Sequence, residues 1–254
     1  IIAIAYVKKA AALANMEIGS LDDTIGNAIV AAADEIIEGK LHDEFIVDPI
    51  QGGAGTSTNM NANEVIANRA LEILGKEKGD YDVIHPNTHV NMAQSTNDAF
   101  PTAIHISTHR LIAKLEKTMQ KLADTFETKG TEFNDVIKMG RTHLQDAVPI
   151  RLGQEFTAYG RVLSRDIKRL KQSSESLLEV NLGATAVGTG LNADPEYMKR
   201  AVEILADLTN IPYRNAEDLV DATQNTDGYT EVSSALKICM LNMSKVANDL
   251  RLMS

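Results

Sequence analysis

Val232, Leu236, Cys239, Met243, Val246, Leu250 and Met253 recur at alternating steps of four and three along the last stretch of the chain. That spacing puts all seven on one helix face, a bundle seam in which Cys239 is a small core residue. Leu152, Phe156, Tyr159, Leu163, Ile167 and Leu170 keep the same period, as do Leu111, Leu115, Met119, Leu122 and Phe126, and predict two more long amphipathic helices. Nearer the start, Ser20 with Asp23 reads as a capping box opening a helix that closes near Gly39. A second helix is expected from about Thr58 to Gly75. Residues 1–7 are apolar, but a bilayer takes about 20 residues and no basic signal region is present, so a core helix is the plainer reading. Strand-like alternation is nearly absent, no internal repeat is found, and residues 76–85 form the expected surface connector. The expected fold is mainly α: an N-terminal helical domain at residues 1–96, then a central long-helix bundle domain at residues 97–254.

Three polar segments interrupt this pattern: residues 51–60 (QGGAGTSTNM), 94–101 (QSTNDAFP) and 140–146 (GRTHLQD). Each crowds hydroxyl and amide side chains where a helix is expected to start. Helix N-termini carry unpaired N–H groups and a partial positive charge, so they bind anions such as carboxylates. Three such clusters separated by long apolar-periodic stretches imply one small polar substrate held by several segments. The net charge of −10 argues against nucleic acid, which calls for clustered Lys and Arg, without excluding an anionic substrate held by local fields. One cysteine, Cys239, rules out an internal disulfide and fits a reducing cytoplasm.

The wording of the three segments resembles the fumarase/aspartase superfamily, and within it the aspartate ammonia-lyases best. Residues 45–50 (FIVDPI), 63–70 (NEVIANRA), Val148-Pro149, 152–156 (LGQEF) and 183–194 (GATAVGTGLNAD) carry the resemblance further, over essentially the whole chain. The preference for aspartases rests on residues 220–226 (VDATQNT) and 229–232 (YTEV). The superfamily's signature loop lies downstream of the matching region, and this sequence starts at Ile1 and stops at Ser254 just before it. The chain is therefore expected to be an internal portion, roughly half, of a longer enzyme. Periodicity alone leaves open whether the apolar stripes pack within or between subunits. The resemblance implies a homotetramer whose central helices form one long core, with residues of different subunits meeting at each active site.

The resemblance implies reversible conversion of L-aspartate to fumarate and ammonia, with class II fumarase as the alternative and a non-catalytic helical scaffold as a reading of another class. A scaffold predicts eroded polar clusters, and here all three are intact. Removing the proton beside a carboxylate builds a doubly charged intermediate, so the site needs donors tuned to that charge. Carried over by resemblance, Thr56, Ser95 and Thr96 hold the β-carboxylate, while Asn97, Thr142 and His143 surround the amino group, with Thr56 nearby. The catalytic base, a serine, and the lysine that grips the α-carboxylate belong to the downstream loop, so none of the residues here is expected to be the base and the chain alone is expected to be inactive. No nicotinamide, flavin or metal is implied, and no cofactor is expected.

Each residue also has a plainer reading. Singly, Thr56, Ser57 and Thr96 read as N-caps worth about 1 kcal/mol each; within the intact block, substrate contact is the stronger reading. Asn97 and Asp98 before Pro101 could be an ordinary helix start. His143 alone would be a hydrogen-bonded structural histidine; within residues 140–146 a site role is favoured. His105 and His109 share the spacing of a metal pair but lack a third ligand, so a solvated helix face is expected. Pro86 between His85 and His89 spoils a helical pair there. Gly188-Thr189-Gly190 follows no strand and reads as a kinked connection near the site, not a dinucleotide fingerprint.

Overall fold

The computed structural model describes residues 1–50 and 52–254. Gln51, the first residue of the glycine-rich block, lies outside them. Among the described residues the helices are α1 (Ile2–Glu17), α2 (Asp23–Ile37), α3 (Thr56–Ile73), α4 (Thr96–Glu132), α5 (Leu152–Ser173), α6 (Pro195–Thr209), α7 (Leu219–Gln224) and α8 (Asp227–Met253). The strands are β1 (Ile137–Thr142), β2 (Gln145–Arg151), β3 (Glu179–Val180) and β4 (Arg214–Asn215). The mainly α expectation holds, with 67% of the described residues helical. The strands make an antiparallel β1–β2 hairpin and a two-residue parallel β3–β4 pairing. The chain divides into two compact units, one of residues 1–108 and 177–226, the other of residues 109–176 and 227–254. The sequence expectation drew a single divide at 96/97, and the chain crosses between the compact units at 108/109, 176/177 and 226/227.

The first unit is built around α1. Ala5, Val7, Ala10, Ala11 and Ala14 are fully buried, so this helix is apolar on opposite faces. Alanine loses no side-chain entropy on burial and lets neighbouring backbones approach closely. One face packs with α2, α3 and Ile84, and the other with α6, Ala99, Ala103 and Ile106 of α4. Helix α2 does open where the sequence placed it, but Asp22 is its cap: the carboxylate accepts from the N–H groups of Thr24 and Ile25 at 2.9 and 3.2 Å. Ser20 lies in the preceding turn, with its own N–H committed to Asn15. The predicted glycine stops at Gly39 and Gly75 both hold, each residue in the left-handed region.

In the second unit α5 packs along α8. Val232, Cys239 and Val246 are buried and Leu236, Met243 and Leu250 half-buried, so the predicted seam faces inward as far as Leu250, while Met253, its last member, is exposed. A buried polar lock fixes its register: the Asn242 amide donates to both Asp166 oxygens at 3.0 and 2.9 Å, and Arg169 pairs with the same carboxylate. Phe126, Phe156 and Tyr159 form an edge-to-face cluster beside it. The stripe predicted on α4 divides. Met119 and Phe126 are buried, whereas Leu111 is 63% exposed and Leu115 and Leu122 lie on the open side. Ile238, Met240 and Leu241 of α8 are likewise exposed.

Candidate active site

The glycine-rich block delivers the first turn of α3. Gly55 is its N-cap, at φ +87°, and no side chain caps the helix, so Thr56 is the first helical residue and not the cap its plainer reading made it. A Cβ on Gly55 would stand 2.2 Å from the Phe100 ring. Only glycine lets the turn before α3 press against the first turn of α4. At that second helix start Ser95 and Asp98 form the reciprocal cap. Ser95 Oγ accepts from Asn97 N–H at 3.2 Å, and the Asp98 carboxylate accepts from Ser95 N–H at 2.9 Å.

The structure therefore brings four of the six expected site residues, Thr56, Ser95, Thr96 and Asn97, onto two abutting helix N-termini. Their hydrogen bonds leave a defined set of groups facing outward. Thr96 Oγ accepts from the Asn59 amide at 3.1 Å, and a hydroxyl that accepts keeps its own hydrogen for another partner. Ser95 Oγ is in the same state. The Asn97 amide donates to Ala186 O at 2.7 Å, which turns its carbonyl oxygen away as an acceptor. Two hydroxyl donors beside one amide acceptor suit a carboxylate with a neighbouring donor group.

Behind this face lies a buried polar layer that sequence reasoning missed. Asp98, fully buried, also accepts from the N–H groups of Gly183 and Thr185 at 3.1 and 2.9 Å, tying the start of α4 to the connection at residues 183–190. Burial raises its carboxyl to about 6, against the downward pull of those N–H groups and of Lys8. Lys8 of α1 is fully buried and donates to Asn91 Oδ1 at 2.8 Å and Gln94 Oε1 at 2.9 Å. Burial lowers its ammonium to about 7, with the Asp98 charge acting in the opposite direction. Asn181 donates to Asn97 O at 3.0 Å and to Thr223 Oγ at 3.1 Å, so the stretch at residues 220–226 reaches the cluster through one side chain. Gly188, at φ +94°, makes this possible: a Cβ there would stand 2.4 Å from Val220 Cα. Two signals were available in the sequence: a lysine within an alanine-rich helix, and an Asp three residues after a capping serine.

Thr142 and His143 belong to the second unit, on its β1–β2 hairpin. The expected helix start at residues 140–146 is a correction: Thr142 ends β1 and pairs with Gln145, and His143 and Leu144 form a two-residue turn with φ of 50° and 60°. Both faces of the hairpin are largely exposed, so no alternation of apolar and polar residues announced it. His105 departs from the solvated-face expectation, because its ring packs against Leu177 O at 3.0 Å and burial lowers its pKa. His85 and His89 form no helical pair, as Pro86 implied: His85 is extended before the π turn Pro86–Val90, and its backbone N–H donates to His89 Nδ1 at 2.8 Å. Among the described residues no three His, Cys, Asp or Glu side chains gather as a metal site.

The lyase family Lyase_1 matches residues 1–254, and the chain belongs to it. It is 71% identical over 252 residues to the aspartate ammonia-lyase of Bacillus subtilis and 52% identical over 249 residues to that of Escherichia coli. Those matches take in 99% and 98% of this chain but 53% and 52% of the relatives. The chain thus spans about half the length of the curated relatives it matches. Among solved structures, a fumarate lyase:delta crystallin from Brucella melitensis, bound to cobalt, superposes with a TM-score of 0.99 at 49% identity, over 100% of this chain and 55% of that one. The class II fumarase of Schistosoma mansoni superposes with a TM-score of 0.93 at 32% identity, over 98% of this chain and 55% of its own.

Proposed function

We propose that this sequence is the substrate-recognition part of an aspartate ammonia-lyase that converts L-aspartate reversibly to fumarate and ammonia. The observation that carries the reading is the set of groups at the start of α4, Ser95 and Thr96 hydroxyl donors beside the Asn97 carbonyl acceptor. Donors there would stabilise the carboxylate as it takes on the second charge of the intermediate. The Asn97 oxygen would accept from the substrate ammonium, which has three donors and no acceptor. By resemblance Thr142 and His143 would offer the ammonium a hydroxyl oxygen and an imidazole nitrogen. The base and the α-carboxylate lysine would come from sequence beyond residue 254. The 71% identity to an aspartate ammonia-lyase supports aspartate over malate.

The protein would act as a homotetramer, a reading supported by the exposed apolar residues of α4 and α8, and in the cytoplasm, where Cys239 would stay a thiol. No helix among the described residues is long and apolar enough to cross a membrane. Class II fumarase remains the second reading, favoured by the Schistosoma likeness and by hydroxyl donors that suit malate's carboxylates equally. The test is a full-length lyase carrying this sequence, assayed by fumarate absorbance. With aspartate, kcat/KM should exceed that with malate by at least ~10²-fold, because malate's neutral hydroxyl leaves the acceptors underused. Comparable or better use of malate assigns fumarase instead.

A further inference from the structure

We propose that Asn59 is a positioning residue that fixes the direction of the Thr96 hydroxyl, making it a hydrogen-bond donor to the substrate carboxylate. The inference rests on the lyase reading and deepens it. Asn59 is 1% exposed and sits one turn into α3, where its NH2 group donates to Thr96 Oγ at 3.1 Å and to Asn91 Oδ1 at 3.3 Å. Its own carbonyl oxygen has no protein partner, so the side chain is held there through its two donors. Asn91 is fixed in turn. Its oxygen takes the buried Lys8 ammonium at 2.8 Å, and its NH2 group donates to Gln94 O at 3.2 Å. With Lys8 donating, Asn91 Oδ1 can only accept, so Asn59 must present NH2 and not oxygen to this side.

The consequence reaches Thr96. A threonine hydroxyl has one hydrogen and could point it inward or outward. An inward donor already occupies the hydrogen-bonding position at Thr96 Oγ, so the hydroxyl hydrogen is left for a ligand. A hydroxyl preset this way needs no reorganisation as charge grows on the carboxylate, which is where a fixed donor contributes most to rate. Asn59 would touch no substrate atom, and its effect would pass entirely through Thr96.

A double-mutant cycle in the full-length lyase tests this, using Asn59→Leu, close in volume but without a donor, and Thr96→Val. Asn59→Leu should lower kcat/KM by about 10- to 100-fold, mostly in kcat, less than the roughly 10²–10³-fold expected when a donor to a developing oxyanion is removed outright. In the Thr96→Val background the same change should cost less than about 3-fold, since no hydroxyl remains to orient. Equal losses in both backgrounds would overturn the proposal, as would an Asn59→Leu enzyme within about 3-fold of wild type. Asn59→Ala is the second variant; failure of both to give folded protein makes Asn59 a folding residue and also overturns it. Wild-type enzyme is assayed with aspartate and malate alongside. Turnover of malate alone defeats the aspartate reading while the cycle still runs on malate, and if neither turns over, calorimetric binding of fumarate carries the cycle. Absence of fumarate binding would defeat both.

Discussion

Thr56 is the first helical residue of α3, exposed at a helix end that no side chain caps. A threonine at that position contributes little to folding, which fits the proposed contact of its hydroxyl with substrate. In the full-length lyase Thr56→Ala should lower kcat/KM with aspartate by about 10²-fold, the loss expected when a transition-state donor is removed. Its melting temperature should stay within about 2 °C of wild type, since a surface change away from a cap moves stability by less than about 0.5 kcal/mol. Near-normal turnover with a melting point several degrees lower would return Thr56 to a structural role. The motif wording, read as a block, pointed to Thr56, Ser95, Thr96 and Asn97, and the structure gathers all four. It could not show which way their hydrogens face, because Asn59, Asn91 and Ala186 set that from distant parts of the chain. Asn59 lay inside a quoted motif and still passed unnoticed, since a buried asparagine and a solvated one look alike in a sequence.

At the scale of elements, two helix starts abut because residue 55 has no side chain. Gly55→Ala should force its methyl into Phe100 and strain a backbone at φ +87°. A loss of about 1–3 kcal/mol is expected, with a fall in activity as the α3 and α4 starts part. Chemical denaturation and aspartate assays on the same variant check it; unchanged stability would mean that the turn before α3 yields freely. Helix α1 supports a second prediction through Lys8. Because burial brings its ammonium to about 7, the folded protein has lost a proton that the unfolded chain keeps up to the ordinary lysine range, about 10.4. The unfolded state binds more protons across that window, so Lys8 makes stability rise as pH climbs from about 7 towards 10. Asp98 acts in the opposite sense lower down. Its raised value of about 6 makes its contribution fall as pH rises from about 4 to 6, after which its charge stays buried. Lys8→Met should therefore flatten the pH dependence of unfolding free energy between about pH 7 and 10, whatever it costs in lost bonds to Asn91 and Gln94. An undiminished slope would show that Lys8 does not titrate in that window. The helices themselves were legible, since apolar periodicity survives wherever a helix has one buried face. The β1–β2 hairpin was not, because both its faces are exposed and its turn lacks the glycine that usually marks two consecutive positive φ values.

At the scale of the whole molecule, the apolar residues left outside decide what the chain can do alone. Ile238 and Leu241, three apart, share one flank of α8 at 40% and 62% exposure, Met240 is 66% exposed on another, and Leu111 on α4 is similarly open. Large side chains in water along a helix flank call for a covering surface, and in a closed homotetramer that surface is another copy. The sequence period alone could not rank these residues below the inward seam, because Ile238 and Leu241 are themselves three apart; the burial of Val232, Cys239 and Val246 distinguishes the inward face. In the full-length lyase, Leu241→Glu together with Met240→Glu should shift the assembly from four copies towards smaller species by light scattering, because charges would be buried without partners. Activity should fall in parallel if each site draws residues from several copies. The 254-residue chain by itself should make no fumarate from aspartate, whatever its assembly, since the proposed base and α-carboxylate lysine are not in it, and loss of such groups costs orders of magnitude in rate. Measurable fumarate absorbance from the purified chain would move the base into the residues described here, with Ser95 and His143 the first to substitute.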